Sequence, residues 1–310
     1  MVGATLFCHD DRVPDPTIPE SPNPVLSVVI PAHNEELGIA RLLEALLRDS
    51  AAGELDIVVA CNACTDRTAE VAAGFGPMVT VIESEIPSKR LAQQAGDEVA
   101  AGFPRAYVDA DVILGTDDLR RLVAPLLEGR ALATAPARRL DGDGASWVVR
   151  RYYAFWERLP QVRSGLFGRG VVMVSEEGAD RILALPQVLS DDLAMSEAFG
   201  PAERLVVADA VVGISLPRTI RDLLNRRIRV ATGTSQVDQL NLRAPEATTS
   251  VSTLVAISVK EPAAVLDLVV FLGVTVVAKV RARRRVRSGD YSTWLRDESS
   301  RQPGPSTAES

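Results

Sequence analysis

Short apolar runs rich in β-branched residues alternate with segments of helical periodicity along the first half of the chain, and this alternation constrains the fold most. The strand-like runs lie at 26–30, 55–60, 78–82 and 106–109. The helical segments, whose apolar residues recur every three or four positions, lie at 36–48, 65–73, 88–101 and 117–127. Strands that alternate with helices in this way predict an α/β fold with a mainly parallel sheet flanked by helices.

The second half of the chain continues this pattern less regularly. Further strands are predicted at 131–135, 170–175 and 205–212, and further helices at 147–159, 176–185, 191–198 and 219–230. A chain of 310 residues with 46% hydrophobic and 24% charged residues can bury a large core. We therefore expect one large α/β domain with an appendage.

The two ends differ in composition from the body of the chain. Residues 1–25 carry five prolines between Pro14 and Pro24 and lack the pattern of a secretory signal, so we expect an extended, disordered leader. Residues 297–310 are polar, and we expect a disordered tail. The segment 234–296 is expected to form a C-terminal helical region.

The charge balance and the cysteines narrow the class of protein. With 34 basic and 41 acidic residues the formal net charge is −7, which argues against nucleic acid as the partner. Three cysteines, Cys8, Cys61 and Cys64, are too few for a disulfide framework, so we expect a reducing, cytoplasmic location. Cys61 and Cys64 form a C-x-x-C pair, which we interpret as part of an ordinary loop, with zinc or thiol chemistry as the alternative.

Polar side chains gather just after three of the predicted strands and at one later place. These positions are 31–36 (PAHNEE), 62–66 (NACTD), 109–111 (DAD) and 190–192 (SDD). In open α/β sheets, ligands bind beyond the carboxyl ends of the strands, so these are candidate site residues. None of the four contains a glycine-rich nucleotide loop, which weighs against a nicotinamide-dependent dehydrogenase and a phosphate-loop NTPase.

Asp109 and Asp111 are separated by one residue at the end of a strand-like run. Mg²⁺ and Mn²⁺ prefer oxygen ligands, and Mg²⁺ commonly takes one or two carboxylates plus substrate phosphates. The pair is thus suited to hold a divalent cation against a diphosphate. Taken alone, the same spacing also fits a solvated turn with a helix cap; the strand before it and the other three polar clusters favour the metal.

Five segments together resemble the family 2 glycosyltransferases of the GT-A fold, a Rossmann-like fold. The segments are SVVIPAHNEE at 27–36, CNACTDRTAEVA at 61–72, YVDADVIL at 107–114, LSDDLAMS at 189–196 and RTIRDLLNRRIRVATG at 218–233. Their order and spacing are more specific than any one motif. The resemblance covers roughly residues 26–233 and implies a catalytic domain there, followed by a C-terminal helical appendage.

The resemblance also implies roles for the residues after the first strands. Pro31, Ala32 and Glu35 would line the nucleoside pocket, and Asp66 would accept a hydrogen bond from the base. Asp109 would contact the ribose or the metal, and Asp111 would be the principal ligand of Mn²⁺ or Mg²⁺.

Two later segments would supply the catalytic carboxylates and the diphosphate contacts. By resemblance, Asp192 would be the catalytic base, with Asp191 as the first member of the acidic pair. Arg226, Arg227 and Arg229 occupy the region where many relatives carry Gln-x-x-Arg-Trp, and guanidinium groups match phosphate oxygens. A solvated helix face is the alternative for these arginines.

The function implied by the resemblance is metal-dependent, inverting transfer of a sugar from a nucleotide-diphosphate donor, a UDP- or GDP-sugar. The acceptor would be a hydroxyl on a lipid-linked molecule or a glycan. A sugar-phosphate nucleotidyltransferase is the enzymatic alternative, although such enzymes usually carry a glycine- and arginine-rich loop where this chain has PAHNEE at 31–36. A non-catalytic nucleotide-sugar-binding protein at the membrane is the alternative from another class.

Two apolar segments leave alternatives open. The aromatic side chains at 147–156 suit either an acceptor site or the core. The apolar segment 263–280 precedes RARRRVR at 281–287, and as a helix its eighteen residues would span about 27 Å. We expect peripheral membrane contact through 263–287 at the inner face of the cell membrane, alone or paired with 251–259; the alternative is a helix buried against the catalytic domain.

Overall fold

Seven strands form one sheet in the computed structural model, which describes residues 26–186, 191–240 and 248–287. The strands are β1 (Leu26–Ala32), β2 (Leu55–Asn62), β3 (Val79–Ser84), β4 (Arg105–Val108), β5 (Ala133–Asp141), β6 (Val171–Val174) and β7 (Arg204–Ser215). They are ordered β3-β2-β1-β4-β6-β5-β7. The leader at 1–25 and the tail at 297–310 lie outside the described residues.

The predicted mainly parallel sheet is confirmed. β1 pairs in parallel with β2 and β4, β2 with β3, and β5 with β7. β6 lies between β4 and β5 and runs antiparallel to both. Because β6 runs in the opposite direction, the loop that precedes it lies at the edge where the parallel strands end.

Helices flank the sheet and follow it in the chain. They are α1 (Glu36–Leu47), α2 (Thr68–Ala73), α3 (Lys89–Val99), α4 (Thr116–Leu127), α5 (Trp147–Trp156), α6 (Pro160–Ser164), α7 (Glu176–Leu183), α8 (Asp191–Glu197), α9 (Ile220–Gln239), α10 (Val251–Lys260) and α11 (Val265–Arg287). The last two form the helical region expected after the catalytic domain.

The observed bounds depart from the expected ones at two places. β5 continues to Asp141 although Pro136 lacks a backbone donor, because the register with β7 shifts between Pro136 and Ala137. α9 continues to Gln239, so the domain boundary predicted at Gly233 falls inside a helix.

Alternate residues of β1 pack into separate cores on the two faces of the sheet. Val28 and Ile30 join a cluster with α1 and α4, whereas Val29 joins a cluster with α7 and α8. All three side chains are fully buried. A strand buried on both faces reads as a continuous apolar run, which explains the sequence of this segment.

The C-terminal helices share a third core with α5. Tyr152 and Phe155 of α5 are fully buried against Phe271 of α11, with ring centroids 5.2 and 5.1 Å apart. α11 also packs along α9. Of the two readings open for the aromatic side chains of α5, core packing therefore holds for Tyr152 and Phe155.

A buried ion pair fixes α3 against β4. Asp97 of α3 accepts hydrogen bonds from Arg105 Nη1 at 2.7 Å and from the Tyr107 hydroxyl at 3.0 Å. The side chains of Asp97 and Arg105 are 6% and 5% exposed. Because the next residue after β4 is Asp109 and α3 begins at Lys89, this pair sets the relative positions of two candidate site residues.

Removal of the Asp97 carboxylate leaves Arg105 as an uncompensated buried charge. We expect Asp97→Ala to lower the free energy of unfolding by about 3–5 kcal/mol, measured by urea denaturation. Glu177→Ala is the matched control, because Glu177 pairs with Arg181 on an exposed helix face at 2.7 Å, where about 1 kcal/mol or less is expected. Equal losses in the two variants would contradict the role given to Asp97.

Candidate active site

The polar segments expected at the site meet at one edge of the sheet. The carboxyl ends of β2, β1 and β4 are neighbours there, and the loop before β6 joins them. A cavity of about 20 Å³, enough for one water, is lined by residues from several of these segments. Among its lining residues are Pro31, Lys89, Asp109, Gly170, Asp191 and Asp192.

The loops after β1 and β2 are tied to one another. The Thr65 amide donates to Asn34 Oδ1 at 2.7 Å, and Asn62 Nδ2 donates to the Ala32 carbonyl at 2.8 Å. Asn34 and Ala63 have φ of 53° and 45°, and they are the non-glycine residues in the described chain with positive φ. Such backbone strain persists only where surrounding contacts impose it, and it is common at binding sites.

The residues expected in the nucleoside pocket lie together around these loops. Pro31 and Ala32 are buried at the end of β1, and the Glu35 amide donates to Thr68 Oγ1 at 2.8 Å. Glu35 itself is 8% exposed. These residues thus lie together at the ends of the strands, and their contact with a nucleoside stays a prediction.

Asp66 fastens the start of α1 to the start of α2. Its Oδ1 accepts hydrogen bonds from the Thr68 amide and hydroxyl, and its Oδ2 accepts one from the Glu36 amide at 3.2 Å. Desolvation alone would raise the pKa of Asp66, but these hydrogen bonds outweigh it and hold that pKa below its usual range. These contacts fix the Asp66 carboxylate between the two helix starts.

Lys89 bridges two carboxylates of the candidate site. Its Nζ lies 2.8 Å from Asp109 Oδ1 and 2.9 Å from Asp191 Oδ2. Burial alone would lower the pKa of Lys89, but the two carboxylates outweigh it and raise that pKa. Burial alone would raise the pKa of Asp191, but Lys89 and backbone amides hold it below its usual range.

The pKa of Asp109 is raised, whereas that of Asp191 is lowered. Loss of hydration raises the pKa of Asp109, Lys89 opposes the rise, and the negative charges of Asp111 and Asp191 add to it. Asp109 thus lies within electrostatic range of two further carboxylates, with Lys89 as a positive charge beside it. Such a site gains stability from added positive charge.

The Asp192 carboxylate is oriented by the loop before β6. Its Oδ2 accepts a hydrogen bond from the Gly168 amide at 2.9 Å. Gly168 has φ of 64°, a conformation that favours glycine. A Cβ at this position would lie 3.6 Å from Arg138 Nη1, so Arg138 borders the same loop.

Arg169 holds that loop in place. Its buried guanidinium, 3% exposed, donates to the carbonyl oxygens of Gly165, Pro136, Val162 and Arg163 at 2.9–3.2 Å. Four hydrogen bonds from one planar group fix the backbone that precedes Gly168 and tie the loop to β5. The amide that orients Asp192 is therefore preorganised.

The three candidate arginines of α9 have different surroundings. Burial and the like charge of Arg226 lower the pKa of Arg229, while Asp192, Asp191 and Asp109 act in the opposite sense. Arg226 and Arg229 thus lie within electrostatic range of each other, and Arg229 within range of the carboxylates. Arg227 lies over the Tyr152 ring of α5, 5.5 Å from its centroid, and so belongs to the helix packing.

The C-x-x-C pair lies beside the first loop. Cys61 is 2% exposed, and burial together with neighbouring Cys64 raises its pKa to about 12. The Cys64 thiol donates to the Ala32 carbonyl at 3.6 Å, and His33 Nδ1 lies 2.6 Å from the Asn62 carbonyl oxygen. These contacts join the loop after β1 to the loop after β2.

A family profile described as glycosyl transferase family 2 matches residues 27–174. The match includes β1, the loops that hold Asp66, and the Asp109 and Asp111 pair. The chain carries a glycosyl transferase family 2 domain.

Curated relatives of this domain carry matching names. An uncharacterised glycosyltransferase of Mycobacterium bovis is 38% identical over 125 residues, which cover 40% of this chain and 54% of that protein. Glycosyltransferase AglE of Haloferax volcanii is 26% identical over 237 residues, covering 71% of this chain and 77% of its own. The chain thus spans about half the length of the first of these relatives.

Solved structures show that the family 2 domain has the GT-A fold. The mannosyltransferase PcManGT of Pyrobaculum calidifontis, in complex with GDP-Man and Mn²⁺, superposes with a TM-score of 0.63 at 19% identity, covering 88% of this chain and 90% of that one. Glucosyl-3-phosphoglycerate synthase of Mycobacterium tuberculosis, with Mn²⁺, UDP and phosphoglyceric acid, gives 0.51 at 19% identity, covering 72% and 80%.

The residues of this family 2 domain fit a divalent cation that is completed by substrate. The described residues contain no group of three or more His, Cys, Asp or Glu side chains that could hold a metal on their own. Asp111 is exposed, and a Cβ on Gly170 would lie 3.4 Å from Asp109 Oδ2, so the absent side chain leaves that oxygen accessible. Two carboxylates plus diphosphate oxygens form a common Mg²⁺ shell.

Sequence reasoning missed Lys89, Gly168 and Arg169. One signal was available for Lys89, which occupies the first position of α3, since a cation is unfavourable at the positive end of a helix dipole. Gly168 and Arg169 belong to a loop outside the five segments that carry the resemblance. Their importance depends on β6 running antiparallel, which periodicity does not reveal.

Proposed function

We propose that the protein is a metal-dependent, inverting glycosyltransferase that moves a sugar from a UDP- or GDP-sugar to an acceptor hydroxyl. The observation that carries the proposal is the Lys89 bridge between Asp109 and Asp191, next to Asp111 and Asp192, in a chain whose residues 27–174 match the family 2 profile. At the ends of parallel strands, such cationic and acidic groups can bind a diphosphate with its metal. A further carboxylate beside them can accept a proton.

Donor binding is assigned to the loops after β1 and β2 and to the two aspartates that follow β4. Pro31, Ala32 and Glu35 form a wall for the nucleoside, and Asp66, fixed between α1 and α2, accepts a hydrogen bond from the base. Asp111, with Asp109, would hold Mn²⁺ or Mg²⁺. The bound ion would supply Lewis-acid stabilisation of the diphosphate leaving group.

The transfer step uses a carboxylate base and fixed positive charge. Asp192 takes the proton of the acceptor hydroxyl as its oxygen forms a bond to the anomeric carbon, and the bond from that carbon to the diphosphate oxygen breaks. The Gly168 amide keeps Asp192 in place for this. Lys89 and Arg229 provide positive charge toward which the developing negative charge of the diphosphate is attracted.

The acceptor is proposed to be a lipid-linked molecule or a glycan, reached from the cytoplasmic side of the membrane, where nucleotide sugars are available. Direct attack by the acceptor oxygen inverts the anomeric configuration. Proton NMR of the first-formed product would detect that inversion.

The test of the proposed function is a thermal-shift panel of UDP-, GDP- and dTDP-sugars with and without Mn²⁺. A donor at a hundred times its Kd adds about 2.7 kcal/mol, so the correct one should raise Tm by about 4–8 °C with Mn²⁺ and less without it. Asp111→Ala should abolish the Mn²⁺-dependent part of the shift. Asp49→Ala is the matched control, an exposed aspartate before β2, at the opposite edge of the sheet.

The metal role would be contradicted if the sugar nucleotide raised Tm equally with and without Mn²⁺, or if Asp111→Ala left the Mn²⁺-dependent rise in Tm unchanged. Absence of a shift with every donor would remove the proposed function. Selective binding of nucleoside triphosphate and sugar phosphate instead would support a nucleotidyltransferase.

Asp192→Asn tests the base directly. The amide cannot accept the proton, so hydrolysis of the correct donor, with water as acceptor, should fall at least about 100-fold. Donor affinity should stay within about threefold, because the substitution leaves the diphosphate contacts in place. Release of nucleoside diphosphate and the thermal shift measure the two quantities, and Asp49→Asn should change neither.

Undiminished hydrolysis by Asp192→Asn would exclude it as the base. If the wild-type protein binds the donor but neither hydrolyses it nor transfers its sugar to any acceptor tried, a non-catalytic binding protein would be favoured.

A further inference from the structure

The outward face of α10 and α11 is apolar over much of its length. On α10, Val251, Val255 and Val259 are 77%, 55% and 75% exposed. On α11 the exposed apolar side chains, each 40–61% exposed, are Val265, Leu266, Val269, Leu272, Val276, Val277 and Val280. We call these ten residues the apolar face. Contiguous exposed apolar surface of this kind marks an interaction site.

The orientation of α11 is imposed by its inward side. Asp267 is 3% exposed and pairs with Arg151 at 3.1 Å and with Arg158 at 3.3 Å. Phe271 and Val274 are buried on the same side, in the core shared with α5. Because these contacts hold the inward side, α11 cannot turn its apolar face toward the protein.

Helical geometry shows that the apolar face is one continuous stripe. At about 100° per residue, the seven exposed apolar positions of α11 fall within an arc of about 140°, opposite the buried positions. Arg283, Arg284 and Arg287, all exposed, continue the same stripe at the last turns. The stripe therefore changes along the helix from apolar to basic.

The apolar face also contains a groove. A depression of about 330 Å³ lies between the helices, lined by Val251, Leu254, Val255, Ser258, Val259, Leu268 and Leu272. The helices satisfy their own backbone hydrogen bonds, so this surface can enter hydrocarbon without exposing unpaired amides. Acyl chains are of a size and polarity to fill it.

We propose that the apolar face binds an anionic lipid bilayer, with α10 and α11 partly immersed and Arg283, Arg284 and Arg287 at the phosphate level. The charge of the stripe favours a bilayer over a second copy of the chain. Its basic end complements acidic headgroups and would repel the same end of another copy. The proposal concerns a surface separate from the acidic cluster, which consists of Asp109, Asp111, Asp191 and Asp192. It does not rest on the proposed function.

The contacts of α11 favour a helix that lies on the membrane over one that crosses it. The segment Pro262–Arg287 is long and apolar enough to span a bilayer by length and composition. Its inward side, however, packs along α5 and α9 from Asp267 to Ala282, and both helices belong to the catalytic domain. A lipid-surrounded helix would lose those contacts and would strand the buried Asp267.

Vesicle flotation of the full chain tests the proposal. The wild-type protein should float with vesicles of phosphatidylcholine and phosphatidylglycerol and less with phosphatidylcholine alone. The double variant Val269→Glu with Val276→Glu should lower the partition coefficient at least tenfold. The matched control is Met78→Glu with Leu127→Glu, at apolar positions that are 55% and 59% exposed and lie outside α10 and α11, and it should bind as wild type.

The arginines give a second, independent readout. Arg283→Gln with Arg284→Gln should weaken binding to the anionic vesicles about 25-fold, at about 1 kcal/mol per charge, and added salt should reduce the difference. The Tm and the donor-induced shift of every variant should match wild type, because these side chains point away from the core and the acidic cluster.

Three results would overturn the proposal. The first is absence of flotation by the wild-type protein, and the second is equal binding by the apolar-face variant and its control. The third is a wild-type dimer, detected by analytical ultracentrifugation, that Val269→Glu with Val276→Glu dissociates while vesicles bind neither protein. That result would make the apolar face a subunit interface.

Discussion

The ion pair of Lys89 with Asp109 and Asp191 is the interaction on which the candidate site depends. It joins the start of α3, the end of β4 and the start of α8, and α8 is far from the other two elements in sequence. Without a cation among them, the carboxylates at this edge would repel one another. The buried pair of Asp97 and Arg105 holds α3 in the position that this bridge requires.

The direction of β6 provides the other half of the site. Because β6 runs against its neighbours, the loop before it lies beside the ends of β4 and β5. Arg169 fixes that loop through four carbonyl groups, and the loop in turn orients Asp192. α9 brings Arg229 toward the same carboxylates and carries α11 on its other side. The apolar face and the acidic cluster are therefore connected through one helix.

The strand and helix pattern, and with it the mainly parallel sheet, could be predicted from the sequence because hydrophobic periodicity is a local property. The positions of Asp109 and Asp191 at the site could be predicted from motifs. Lys89 could not, since its partner Asp191 comes from a distant segment. Arg227 shows that membership of an arginine cluster does not fix where a side chain points. For α11, the structure shows one side buried against the domain and the other side exposed, so the membrane contact of the exposed side stays a prediction.

The central claim is that this acidic cluster holds a divalent cation together with a nucleoside diphosphate. Crystals soaked with Mn²⁺ and the nucleoside diphosphate selected by thermal shift, measured by anomalous diffraction at the manganese edge, test it directly. The account predicts a manganese peak coordinated by Asp111 and by diphosphate oxygens, with Lys89 still near Asp191. A peak at another place, or diphosphate bound at this edge with no manganese beside it, would contradict the account.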